Sequence, residues 1–115
     1  MSGLLERGIF FFNEARYFDA HEAWEDLWRE DRTDLRLFYQ GLIQAAAGLH
    51  HLTRQNPEGA RAQLSKSLQK LATFPPEAAG IDLNLLRQDL RKVLDHMDPE
   101  GLRAVRIVLQ SGGRF

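Results

Sequence analysis

The chain contains no cysteine, which rules out disulfide staples, thiolate metal sites and a thiol nucleophile. It also lacks a long apolar run. The largest apolar cluster, at residues 9–12, falls far short of the ~20 residues a helix needs to cross a bilayer. The N-terminus does not show the basic-then-apolar layout of a secretion signal. Charge of one sign is missing as well. Fifteen basic against sixteen acidic side chains leave a net charge of −1, so no overall field draws nucleic acid or an anionic membrane. Nor is there a G-x-S-x-G elbow, a Walker loop or a dinucleotide fingerprint, because Gly112 and Gly113 end the chain rather than open a helix. These absences lead to the expectation of a cytoplasmic domain with neither nucleic acid nor membrane as partner.

What is present is helical periodicity. At 115 residues and 43% hydrophobic content, residues 1–115 are expected to form one domain. Leu5, Ile9 and Phe12 stripe a first helix over residues 4–16. Asp19, with Glu22 three residues on, has the capping-box pattern for a second helix that runs to about residue 30. Asp34 is placed to cap a third helix through about residue 54, and Asn56-Pro57 gives the cap-plus-proline start of a fourth. Phe74-Pro75-Pro76 stops that helix, residues 77–81 read as loop, and Asp82 caps a fifth. Asp98-Pro99 suggests a short sixth helix, whereas the alternation of Val105, Ile107 and Leu109 fits a terminal strand; both readings stand. Residues 82–109 are taken together as C-terminal helices. Ala20 and Ala60, forty residues apart, sit at matching positions just after a turn. This is a faint echo of the tetratricopeptide hairpin, whose usual period is ~34.

Charge and aromatic residues offer other candidates. Between Asp19 and Asp34 seven carboxylates face two arginines, which reads as a solvated face or a draw for a cation. Arg87, Arg91 and Lys92 form a basic patch on the fifth helix, diluted by Asp89 and Asp95 and read as solvated rather than as a nucleic-acid footprint. Phe10, Phe11 and Phe12 cannot all be buried by one helix face. One of them is either a cap on the core or a subunit contact, as in a homodimer.

The most informative stretch is Ala20-His21-Glu22-Ala23-Trp24-Glu25-Asp26-Leu27-Trp28. At ~100° per residue, Ala20, Trp24 and Leu27 centre the buried face, while His21, Glu25 and Trp28 run down one flank. Glu22 points away from that flank. On the third helix Gln40, Gln44 and His51 line up beside Gly41 and Gly48, and each glycine costs a helix interior ~1 kcal/mol unless another backbone comes close. An antiparallel pairing of helices 2 and 3 would bring His21, Glu25 and Trp28 opposite Gln40, Gln44 and one of His50 and His51. Three uses of such a cluster are open. It is a register-fixing polar network, a site for a small ligand or a divalent metal held by His21 and Glu25, or an acid–base pair. A zincin is rejected, because Glu25 stands where H-E-x-x-H needs its second histidine.

The runs Ala20-His21-Glu22-x-x-Glu25-x-x-Trp28 and Gln40-Gly41-Leu42-Ile43-Gln44, followed by Asn56-Pro57-Glu58-Gly59-Ala60, resemble domain-of-unknown-function family 309. That family comprises small helical proteins of bacteria and archaea marked by A-H-E-x-x-E-x-x-W and Q-G-L-I-Q. The resemblance covers residues 4–73 and implies a compact helical bundle without an established reaction, cofactor or substrate. Its motif residues here are His21, Glu22, Glu25, Trp28, Gln40, Gly41, Gln44 and His50 or His51.

The expectation is therefore an all-α bundle of five to six helices in antiparallel hairpins, loosely tetratricopeptide-like. The functional reading is a non-enzymatic binding protein with a polar pocket between helices 2 and 3. Alternatives are a structural network in an interaction or scaffold module, and a metal-dependent hydrolase-like enzyme.

Overall fold

The computed structural model describes residues 3–97 and 105–109. Five helices follow one another: α1 (Gly3–Asn13), α2 (Tyr17–Glu30), α3 (Leu35–Thr53), α4 (Pro57–Leu71) and α5 (Leu83–His96). Two-residue strands β1 (Glu77–Ala78) and β2 (Ile81–Asp82) pair antiparallel between α4 and α5. Each helix packs chiefly on its neighbours in sequence, α3 and α4 most extensively. The short connections turn successive helices into hairpins, so the architecture is all-α as the periodicity implies. The expected short sixth helix after Asp98-Pro99 begins at residues outside the described ones.

The forty-residue echo has a packing basis. Ala15 and Gln55 both take the left-handed conformation, at φ 61° and 60°. Each closes its helix with the same pair of bonds. Arg16 N–H donates to Phe11 O and Ala15 N–H to Phe12 O; Asn56 N–H donates to His51 O and Gln55 N–H to Leu52 O. Both are Schellman turns built without glycine. Ala20 and Ala60 are then fully buried in the first turn of α2 and α4. Gly8 and Gly48 complete the correspondence. A Cβ on Gly8 would collide with the Trp24 indole, and one on Gly48 would lie 2.7 Å from Leu64 Cγ. Two hairpins, α1–α2 and α3–α4, thus share one construction. In each, a glycine on the first helix admits a large side chain from the second.

Trp24 lies at the centre of the core, fully buried, with its indole N–H donating to Leu5 O at 3.3 Å. Phe12 packs on it with ring centroids 5.8 Å apart and meets Tyr17 edge-on at 5.5 Å. Burial of each such side chain contributes ~1.5–3 kcal/mol. Of the three phenylalanines on α1, Phe12 is buried, Phe11 is half-buried under the Arg16 guanidinium and Phe10 is 57% exposed.

Several caps differ from the sequence reading. Helix α2 begins at Tyr17, so Asp19 lies inside its first turn and accepts from Arg16 Nε at 2.9 Å instead of capping. The Schellman turn passes the chain straight from α1 into α2, leaving no room for a separate cap. Asp34 occupies the N-cap position of α3 without a side-chain bond. Thr33 Oγ1 accepts from Leu35 N–H instead and is itself held by Asp31. Asn56 and Asp82 cap as expected, accepting from Gly59 N–H and Leu85 N–H. Arg87, read as part of a solvated basic patch, donates to Leu71 O and Phe74 O, both at 2.9 Å, and so closes the C-terminal end of α4.

Residues 77–81, expected to be loop, form with Asp82 the β1–β2 hairpin, with Ala79 and Gly80 both at positive φ in the turn. Residues 105–109, grouped with the C-terminal helices, run extended, as the alternation of Val105 and Ile107 allows; both are buried. Leu109 bridges Ile81, and Asp82 N–H donates to Val108 O at 2.8 Å. On the other side the Asn13 carboxamide takes the part of a neighbouring strand, accepting from Ile107 N–H at 2.8 Å and donating to Ile107 O at 2.9 Å.

Gly8→Ala is expected to lower unfolding stability by about 2 kcal/mol in urea titrations, because overpacking outweighs the gain in helix propensity. Gly3→Ala, where nothing lies within 4 Å, should leave stability unchanged or raise it. Asn13→Ala should speed hydrogen exchange at the Ile107 amide at least tenfold while exchange in α3 and α4 stays as it was.

Candidate functional site

With Ala20, Trp24 and Leu27 turned into the core, the period of α2 leaves His21, Glu25 and Trp28 along the edge facing α3. On α3 the same arithmetic buries Leu42, Ala45, Ala46 and Leu49 and leaves Gln40, Gln44 and Ala47 at the rim. These residues meet around an open cavity of about 260 Å³, lined by His21, Glu25, Trp28, Gln40, Ile43, Gln44, Ala47 and Gln63. Five of the seven candidate residues read from the sequence share this space.

His50 and His51 do not. They line an adjoining cavity of about 210 Å³ with Phe18, His21 and Ala47. The two spaces share His21 and Ala47, so the histidine on α2 stands between them. Both α3 histidines lie a turn or more beyond Gln44 toward the helix C-terminus, past the end of the glutamine-lined space. Of the helix-3 residues expected opposite His21 and Glu25, Gln40 and Gln44 share one cavity with both, whereas His50 and His51 share the adjoining one with His21 alone.

Gly41 and Gly48 also have a different partner from α2. A Cβ on Gly41 would lie 2.7 Å from Leu71 Cδ2, and Ser67 Oγ donates to Gly41 O at 2.7 Å. Their close approach is to α4, and it is what carries Gln63 into the cavity. Gln63 flanks the apolar stripe of α4 beside Leu64, and only the pairing of α3 with α4 singles it out. Phe18, 56% exposed, was likewise missed: its ring lies parallel to His21 within 13° at 6.3 Å and 5.9 Å from His50.

The polar contacts around the cavity are loose. His21 Nε2 lies 3.6 Å from Glu25 Oε2, and His21 Nδ1 lies 3.6 Å from Glu22 Oε2. Arg29 Nη2 lies 3.7 Å from Glu25 Oε1, while its other nitrogen holds Asp26 at 2.7 Å. None of the Glu25 contacts reaches hydrogen-bond distance. Two side-chain atoms, His21 Nδ1 and Gln44 Oε1, are closed off from water and lack a hydrogen-bond partner. Such atoms are rare in a folded protein, because each costs ~1–3 kcal/mol.

Trp28 is held firmly. Arg36 stacks 4.1 Å from its ring centroid and donates through Nε to Trp28 O at 3.2 Å. In the second space the His51 ring is fixed by Asn56 Nδ2 at 3.2 Å from its Nδ1. Burial lowers the His50 pKa below the usual histidine value, and the nearby Arg54, His51 and His21 act in the same direction. These influences favour the neutral form of His50.

Chemically the site offers hydrogen-bond acceptors and amides, one carboxylate and one imidazole. Among the described residues no serine or threonine lines either space. Glu22, which a zincin would need as its base, is 61% exposed. Among the described residues no three His, Asp or Glu side chains stand close enough to hold a metal ion, which leaves His21 and Glu25 as a pair. Among them, too, no helix is long and apolar enough to cross a membrane.

The family model "Domain of unknown function (DUF309)" matches residues 5–63, the segment that holds every residue of both cavities. The chain is similar to an uncharacterized protein of Aquifex aeolicus (strain VF5), 30% identical over 92 residues, which are 79% of this chain and 28% of that protein. It is also similar to the uncharacterized protein YpuF of Bacillus subtilis (strain 168), 32% identical over 85 residues, 71% of this chain and 49% of that one. It thus spans between about a quarter and a half of the length of these curated relatives. A match over residues 5–63 of 115, on the hairpins that build the site, makes the chain a member of the domain-of-unknown-function family DUF309.

Proposed function

We propose that the chain is a non-enzymatic binding protein whose occupant is a small polar molecule seated among α2, α3 and α4. The observation that carries this reading is the pair of unpartnered atoms, His21 Nδ1 and Gln44 Oε1, on residues that line the cavity. A network that served only to fix helix register would satisfy its own members, since a half-satisfied network is worse than an apolar contact. Here the carboxylate, the imidazole and the amides stand near one another without bonding. That pattern suits groups that pair with a partner from outside once their side chains turn toward it.

A divalent metal is the second occupant considered. His21 and Glu25, one helical turn apart, supply two ligands, whereas metal sites on helices draw on three or four. A catalytic use finds less support, because among the described residues no hydroxyl nucleophile lines the space beside the loosely placed His21–Glu25 pair. The same reading places the protein in the cytoplasm, without nucleic acid as a partner. A homodimer through the exposed Phe10 is compatible with it.

Gln44→Leu separates a binding role from a structural one. Removing an unpaired acceptor should raise the melting temperature by about 2–5 °C, whereas a fall of that size would make Gln44 a structural member of the network and overturn the reading. Zinc or manganese at millimolar concentration should leave the melting temperature within about 1 °C. A larger rise that Glu25→Gln abolishes would install a metal in place of the organic ligand.

A further inference from the structure

The chemistry of the unfilled groups points to one class of occupant, an inference that rests on the binding role proposed above. Glu25 is an acceptor only, and its neighbours at 3.6 and 3.7 Å leave its lone pairs unbonded. Gln44 Oε1 is a second acceptor without a donor. His21, when neutral, has a single N–H to share between Glu22 and Glu25, so its other ring nitrogen is a third acceptor. Three acceptors around one space call for a head group with three donors, and an ammonium has three.

The surrounding charge favours the same choice. Glu25 lies on this flank with Glu22 and Asp26 on the adjoining surface of α2, and the segment between Asp19 and Asp34 holds seven carboxylates and two arginines. Of the cations nearby, Arg29 is committed to Asp26 at 2.7 Å, and Arg36 is stacked on Trp28 and bonded to its carbonyl. Burial in the second cavity lowers the His50 pKa and so disfavours a positive charge there.

The second space supplies the rest of the shape. It adjoins the first, with His21 and Ala47 lining both, and is walled by the Phe18 ring and two further imidazoles. At about 260 and 210 Å³ each space alone is below the ~300–1,000 Å³ of ordinary small-molecule sites, and together they enter that range. A polar compartment of acceptors therefore lies directly beside an aromatic one.

We infer that the two cavities together take a small primary amine, with its ammonium on Glu25, Gln44 and His21 and its apolar body against Phe18, Ala47 and His50. The ammonium gains charge-assisted bonds to a carboxylate that has none in the free protein, and the apolar body covers a phenylalanine otherwise left in water.

Titration of the whole chain with 2-phenylethylamine at pH 7.5, followed by amide NMR shifts, tests this against two isosteres, 2-phenylethanol and phenylacetate. The amine should bind at least tenfold more tightly than the alcohol, and phenylacetate more weakly than either. Glu25→Gln should weaken amine binding tenfold or more with little effect on the alcohol, and Phe18→Ala should weaken both alike; both changes are at surface-accessible positions. Equal or tighter binding of the alcohol or the acid at the same residues would overturn the amine inference while leaving the binding role standing. If none of the three probes shifts amides around His21 and Gln44, the amine inference falls, and the melting shift of Gln44→Leu decides the binding role by itself.

Discussion

The close approach of helices at two glycines is the constraint on which the rest of the molecule depends. Trp24 fits against α1 only because Gly8 has no side chain, and Leu64 fits against α3 only because Gly48 has none. In each hairpin a large side chain of the second helix meets bare backbone of the first. The gain is apolar burial at the centre of the core; the cost is a glycine inside a helix, ~1 kcal/mol relative to alanine. Burial of a tryptophan exceeds that cost, which is why an unfavourable helix residue is compatible with a stable helix here. The left-handed residues Ala15 and Gln55 do the corresponding work at the turns and bring each second helix back at the angle that lets the contact form.

The site follows from this packing. Once Ala20, Trp24 and Leu27 are committed to the core, the flank that carries His21, Glu25 and Trp28 falls at the α2–α3 border. Once Gly41 and Gly48 are pressed on α4, Gln63 reaches the same border from the other side. The cavity is a by-product of two tight contacts that flank it: helices drawn together at small residues diverge where side chains are larger. Its lining mixes apolar walls, Ile43 and Ala47, with polar groups on three helices, and these are left short of partners.

That shortage has a thermodynamic meaning. A folded chain that keeps unpaired acceptors gives up stability at those atoms, and such sites commonly exchange stability for function. Elsewhere among the described residues local demands are met with economy. Asn13 serves both backbone groups of Ile107, Arg87 serves two carbonyls at the end of α4, and Ser67 serves Gly41. Against that background the loose geometry around His21, Glu25 and Gln44 stands out as a local exception.

Most helices could be read from the chain alone, because apolar spacing and the Asn56-Pro57 and Asp82 caps are local signals that short-range physics enforces. The flank shared by His21, Glu25 and Trp28, and the one shared by Gln40 and Gln44, were legible for the same reason: residues on one helix have fixed relative directions whatever lies opposite. The partner of each face was not legible. Whether Gly41 and Gly48 meet α2 or α4, which cavity receives His50 and His51, and that Gln63 and Phe18 join the site all depend on how separate helices dock. So does the extended path of residues 105–109, which is set by Asn13, far away in sequence. Periodicity fixes orientation within a helix; distances between helices come from side-chain volumes summed over the whole core, and no local stretch of sequence contains that sum.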